Sequence, residues 1–181
     1  MNITQMESAH WPEVKRIYQE GIDTGQATFE QRPPATWITW SEKFLHHLSL
    51  VCLDEEQALG WAAISRISSR KAYQGVGELS LYVGLNAQGQ GIGKELMEKI
   101  TADSEEAGFW TLQAVIFPEN VVSIQLHKNY GFRLVGRREK IGKMTYGPMA
   151  GEWRDVFLME RRRKDPGNPA NRGKEIGSTR I

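Results

Sequence analysis

The stretch Leu81-Tyr82-Val83-Gly84-Leu85-Asn86-Ala87-Gln88-Gly89-Gln90-Gly91-Ile92-Gly93-Lys94 runs from an alternating apolar segment through a glycine-rich turn directly into a helical pattern. Glycines open backbone conformations closed to other residues and remove side-chain bulk, so successive N–H groups at a helix start can converge on an anion with the helix dipole behind them. A pyrophosphate would fit such a turn; an ordinary strand-to-helix connection could also use it. Two familiar phosphate loops do not match. Gly93-Lys94 is followed by Glu95, where a Walker A loop needs Ser or Thr, and the spacing Gly89-x-Gly91-x-Gly93 halfway down the chain departs from the dinucleotide fingerprint.

Working outward, the strand Gly77 to Val83 alternates Leu79, Leu81 and Val83 on one face with Glu78, Ser80 and Tyr82 on the other. Downstream, Ile92, Leu96, Met97 and Ile100 mark an amphipathic helix that Gly108 can cap, followed by a strand from Thr111 to Ile116. A short helix from Asn120 to Tyr130 ends at Gly131, and Arg133 to Ile141 and Trp153 to Arg161 read as the last strands. Upstream, Asn2 to Met6 forms an edge strand. Ser8 and Pro12 then open a helix whose Val14, Ile17 and Tyr18 share a face and which ends near Gly21. Beyond Pro33-Pro34, Thr36 caps a second helix carrying Trp37, Trp40, Phe44 and Leu48 on one stripe, more simply core than a cofactor box. Leu50 to Asp54 and Ala58 to Ile67 make a hairpin about Glu55-Glu56. The order predicts an α/β sheet with helices on its faces and contains no internal repeat.

With 181 residues, 40% hydrophobic and 25% charged, the chain is sized for one domain, and its net charge of +1 gives no reason to expect nucleic acid or a membrane surface. Residues 1–160 form that domain. Residues 161–181 hold seven Lys or Arg against two Asp or Glu, and their surplus of five leaves about −4 on the remainder of the +1 chain. Interrupted by Pro166, Gly167, Pro169, Gly173 and Gly177, this tail is expected to be flexible. The single cysteine, Cys52, lies in an apolar run and reads as a buried strand residue. The opening Met-Asn-Ile-Thr-Gln has no basic patch or long apolar run, so a cytoplasmic protein is expected. His10, His46 and His47 lack partners at ligand spacing, and no metal site is expected.

Gln88-Gly89-Gln90-Gly91-Ile92-Gly93 resembles the Gln/Arg-x-x-Gly-x-Gly/Ala motif of the GCN5-related N-acetyltransferases. The resemblance spans roughly residues 1–160 and narrows to the phosphinothricin N-acetyltransferase group. It does so through Arg70-x-Ala72-Tyr73, Glu78-x-Ser80-x-Tyr82-Val83, Asn120-x-x-Ser123-x-x-Leu126-His127, Gly131-Phe132 and Trp153-x-Asp155-Val156. It implies the GNAT fold, a mixed central sheet flanked by helices on both faces, and acetyl-CoA as cosubstrate. Leu81, Tyr82 and Val83 would offer backbone groups to the pantetheine arm and acetyl carbonyl. Gly89, Gln90, Gly91, Ile92, Gly93 and Lys94 would cradle the phosphates, and Asn120 would touch the pantetheine region. The same resemblance implies a homodimer through the C-terminal strands.

An amine that attacks a thioester must first lose its extra proton, so the site needs a base or a water path, and the departing thiolate needs an acid. Glu78 falls at the position of the family's proposed glutamate; without the resemblance it reads as a solvent-facing or salt-bridged carboxylate. His127 lies near where relatives outside the group carry a tyrosine acid, and it is either an acid or relay or a hydrogen-bonded helix residue. Arg70 suits an acidic group on the acceptor, with Tyr73 and Phe29 as pocket aromatics, although Arg70 is equally a solvated loop charge. The leading expectation is N-acetylation of a small amino-acid-like molecule of the phosphinothricin or methionine sulfoximine type. The alternatives are a peptide or protein N-terminal acetyltransferase and a non-catalytic acyl-CoA-binding module.

Overall fold

The structure, a computed structural model, describes residues 1–163. Seven strands form one sheet: β1 (Asn2–Gln5), β2 (Ser49–Asp54), β3 (Gln57–Arg66), β4 (Val76–Val83), β5 (Thr111–Ile116), β6 (Arg133–Lys143) and β7 (Trp153–Arg162). Their spatial order is β1-β2-β3-β4-β5-β7-β6. Only β4 and β5 are parallel; all other neighbours are antiparallel. Four helices accompany them: α1 (Trp11–Asp23), α2 (Trp37–Ser41), α3 (Ile92–Glu106) and α4 (Val121–Asn129).

Strand alternation sends the two sides of β4 into different cores. Leu79, Leu81 and Val83 join Ile92, Leu96 and Ile100 of α3 and Leu126 of α4 on one face. Tyr82 joins Ile17 and Tyr18 of α1 and Trp40 of α2 on the other. A third cluster of Phe117, Met144 and Val156, with Phe29 and Tyr146 against it, covers the far end of the sheet. Helices therefore lie on both faces, as expected.

Two expectations needed tertiary contacts to correct them. The second helix stops at Ser41 rather than running to Leu48, because the Leu45 N–H is drawn to the Ile64 carbonyl at 2.8 Å, and a separate short turn covers His46–Leu48. Trp37, Trp40 and Phe44 still reach one cluster, while Leu48 falls in another. The first helix continues past Gly21 to Asp23: Gly21 leaves room for the Tyr82 ring, whose carbons would lie 2.7 and 2.8 Å from a Cβ there. The domain also extends further than residue 160. Arg161 and Arg162 lie in β7, Arg161 binds the Tyr130 carbonyl, and the Arg163 N–H binds Trp110. Residues 164–181, the remainder of the predicted basic tail, lie outside the described residues.

Candidate active site

Parallel pairing of β4 with β5 covers only Val76–Glu78 against Thr111–Gln113. Beyond Glu78 the strands part, so the backbone edge of Leu79–Val83 that would face β5 has no strand partner, while its other edge pairs with β3. The result is a cleft whose wall ends at the glycine turn. Gly89 and Gly91 have φ of +78° and +87°, and a Cβ built on either meets no atom within 4 Å. A side chain would be strained there by its backbone, and the open space above both positions is that of a cradle. The Lys94 and Glu95 N–H groups bond the Gly91 carbonyl, which leaves the Ile92 and Gly93 N–H groups as orphan donors of the α3 first turn. Gly93 allows close packing, since its Cβ would lie 3.3 Å from Leu126 and 3.7 Å from Val83. Gln90 is exposed and bonds the Asn86 carbonyl at 2.8 Å, and Lys94 is exposed at the helix start. A narrow groove along an unpaired strand edge, ending in backbone donors, fits a long thin arm that terminates in a pyrophosphate.

Glu78 is the last β4 residue paired with β5, on the face opposite the packed leucines and half-buried at the mouth of the cleft. Burial pushes its carboxyl above the ordinary range, partly opposed by the positive charge of Arg138. The Tyr18 and Tyr82 rings lie 4.9 Å apart on the same face, and burial raises both phenols, Tyr18 to about 12, so they stay protonated at neutral pH.

The loop after α1 closes this face. Phe29 packs edge-on against Phe117 at 4.9 Å and fills the space above Gly142, whose Cβ would lie 2.8 Å from its ring. Tyr146 donates to the Thr28 carbonyl at 2.7 Å. Arg154 is 3% exposed and donates to the Gly25 carbonyl, the Gln26 side-chain oxygen and Glu119, at 2.9, 2.9 and 3.0 Å, with its guanidinium 4.0 Å from the Phe117 ring centre. Neither Arg154 nor Tyr146 was anticipated from sequence. Alternation in Trp153-x-Asp155-Val156 carries the signal for the first, because Arg154 must share the inward face of Val156.

His127 is buried, its Nδ1 within 2.7 Å of the Ser123 carbonyl and its ring edge-on to Phe132 at 4.9 Å; burial lowers its pKa. Asn120 is the N-cap of α4, accepting from the Ser123 N–H, and it donates to the Gln26 carbonyl. Arg70 and Tyr73 lie in the loop before β4, at the opposite end from the glycine turn. Tyr73 is 45% exposed, and the Arg70 side chain makes no hydrogen bond or ion pair among the described residues. Asp155 binds Arg137 at 2.6 Å and the Lys140 N–H at 2.7 Å, contacts that hold its carboxyl below the usual range. No group of three or more His, Cys, Asp or Glu able to hold a metal stands together among the described residues.

A family model described as the acetyltransferase (GNAT) family matches residues 11–132. The phosphinothricin N-acetyltransferase of Alcaligenes faecalis is 30% identical over 157 residues, covering 83% of this chain and 76% of its own. An L-methionine sulfoximine/L-methionine sulfone acetyltransferase of Pseudomonas aeruginosa is 22% identical over 157 residues, 84% of this chain and 88% of its own. Among solved structures, a phosphinothricin acetyltransferase from Sinorhizobium meliloti in complex with acetyl-CoA has a TM-score of 0.79 and 30% identity, covering 89% of this chain and 87% of its own.

Proposed function

The chain belongs to the acetyltransferase (GNAT) family, and from that premise we propose that it acetylates the amino group of small amino-acid-like molecules, with Glu78 as the base. The observation that carries this reading is the position of Glu78, half-buried where β4 leaves β5 and beside the free strand edge. The relatives that act on phosphinothricin and methionine sulfoximine support the substrate class.

Acetyl-CoA, when bound, supplies the acetyl group as an activated thioester. The backbone of Leu81, Tyr82 and Val83 lines its arm, and the turn Gly89 to Lys94 receives the phosphates on N–H groups backed by the α3 dipole. Glu78 accepts the surplus proton of the acceptor ammonium, directly or through water. Its raised pKa brings it nearer to working pH, where a general base is most effective. Phe29, Phe117 and Tyr146 wall the acceptor side and exclude water. His127, tied through Nδ1 to its own helix, fixes the packing of α4 on Phe132 rather than moving a proton.

The edge strand β6 exposes Leu134, Val135 and Ile141, and Trp153, which pairs with Lys143 at the far end of β6, is 57% exposed. We place the contact of a homodimer on this edge and the reaction in the cytoplasm. The test of function is release of CoA thiol with acetyl-CoA and a panel of free amino acid analogues, amines and peptides. Turnover of methionine sulfone or phosphinothricin is expected. Turnover of peptides alone would move the assignment to an N-terminal acetyltransferase, and no turnover, with acetyl-CoA still bound, to a binding module.

A further inference from the structure

Resting on the acetyltransferase reading, we infer that Glu20 of α1 is a positioning residue for acetyl-CoA, its carboxylate holding the segment that feeds the glycine turn. Ile17, Glu20 and Gly21 share one face of α1, and that face lies against the end of β4 and the residues after it. A Cβ on Gly21 would meet the Tyr82 ring at 2.7 Å, and one on Gly84 would lie 3.4 Å from Ile17 and 3.6 Å from Glu20 Oε2. Glu20 is the polar member of an otherwise apolar contact.

Its Oε2 accepts from the Leu85 N–H at 2.9 Å. On either side the backbone looks after itself: the Gly84 N–H binds the Leu59 carbonyl of β3 at 2.9 Å, and the Ala87 N–H binds the Gly84 carbonyl at 2.9 Å. Glu20 thus supplies the acceptor for Leu85 from a different element. The Asn86 carbonyl in turn accepts from the Gln90 side chain at 2.8 Å, within the glycine turn. Hydrogen bonds therefore run from α1 through residues 84–87 to Gln90, which stands between Gly89 and Gly91. Leu85 is 53% exposed and Asn86 is exposed, so ahead of the buried Ala87 this stretch is held by its hydrogen bonds more than by packing.

A carboxylate bonded just ahead of an anion cradle would oppose the anion unless its own charge were met. Arg16, one helical turn earlier, binds Glu20 as well as Glu13, and it reaches the Ala58 carbonyl at 3.4 Å. The strong charge-assisted bond to Leu85 is kept while the negative charge is offset. Anion binding by backbone N–H groups needs several donors aimed at one place, and a segment fixed before the ligand arrives loses less entropy on binding.

The experiment measures acetyl-CoA affinity by calorimetric titration, and amide hydrogen exchange across residues 84–91 without ligand, for the wild-type protein, Glu20→Ala, Glu20→Gln and Glu13→Gln. In Glu20→Ala, acetyl-CoA is expected to bind about tenfold more weakly, the scale of one charge-assisted hydrogen bond, and the segment to exchange faster. With methionine sulfone as acceptor, the loss should fall in the KM for acetyl-CoA and not in that for the acceptor. Glu20→Gln keeps an oxygen for the Leu85 N–H and should recover part of the affinity. Glu13→Gln takes a partner from Arg16 without touching Leu85 and should match the wild type. An affinity of Glu20→Ala within about twofold of the wild type, unchanged exchange, or an equal loss in Glu13→Gln overturns the assignment. Titration and exchange need no acceptor, so a wrong acceptor class leaves both readouts intact. A wild-type protein that binds no acetyl-CoA overturns the cofactor reading and this inference together.

Discussion

Asn120 links the two halves of the cleft: its Oδ1 accepts from the Ser123 N–H at 3.1 Å to start α4, and its Nδ2 donates to the Gln26 carbonyl at 3.2 Å. The loop that carries Phe29 is thereby fastened to the turn between β5 and α4. Asn120→Ala removes a helix cap worth about 1 kcal/mol and the tether with it. Lower thermal stability and a raised acceptor KM are expected together; thermal unfolding and steady-state kinetics measure both.

Arg154 performs the same fastening from beneath. Its three acceptors belong to Gly25, Gln26 and Glu119, and Arg154→Met would leave two loop oxygens without their donor in a buried place. Hydrogen bonds to a buried charge are worth about 1.5–3 kcal/mol each, not additively, so a total loss of about 3 kcal/mol is expected. For a domain of this size that lowers Tm by about 6–12 °C. A shift below about 2 °C in differential scanning calorimetry would show that the network is dispensable.

At Gly91, φ of +87° puts any other residue under backbone strain, although no neighbouring atom would clash. Gly91→Ala should therefore cost about 1–3 kcal/mol of stability and close part of the anion cradle. We expect acetyl-CoA affinity, read by calorimetric titration, to weaken at least about tenfold. Gly136→Ala is the control, since that glycine has an ordinary φ and open space around it, and its affinity should match the wild type.

Stability should depend on pH with opposite signs through half-buried Glu78 and buried His127. Glu78 is raised above 4.5 by burial, so the folded state binds its proton more tightly and its ionised form is a penalty that persists at neutral pH and disappears below about 4.5. Glu78→Gln should therefore be more stable than the wild type at pH 7, with the advantage shrinking towards pH 4.5, while kcat/KM falls about 10²–10⁴-fold. His127 is lowered below 6.5 by burial, so the unfolded chain takes up its proton first and stability is lost as pH falls below that value. Denaturant unfolding between pH 7.5 and 5.5 should show the wild type losing stability relative to His127→Gln, with kcat/KM of the variant within about threefold at pH 7.5.

Much of this protein was legible in its sequence because the signals are local. Alternation in Glu78 to Val83 fixed which residues face each core, and the spacing of glycines from Gly89 to Gly93 marked a turn in which Gly89 and Gly91 take the positive φ that glycine adopts without strain. Thr36 caps the second helix, where its side chain reaches a first-turn N–H group. What only the tertiary structure decided depends on residues distant in the chain. The parting of β4 from β5 after Glu78, the pull of Ile64 on Leu45 that shortens α2, the burial of Arg154 beneath Gly25 and Gln26, and the pairing that puts Arg138 opposite Val156 are all set by residues distant in the chain. Local periodicity gives the side of a strand on which a charge lies; it cannot give the strand that will stand opposite, because register is chosen by the whole sheet when its faces are buried.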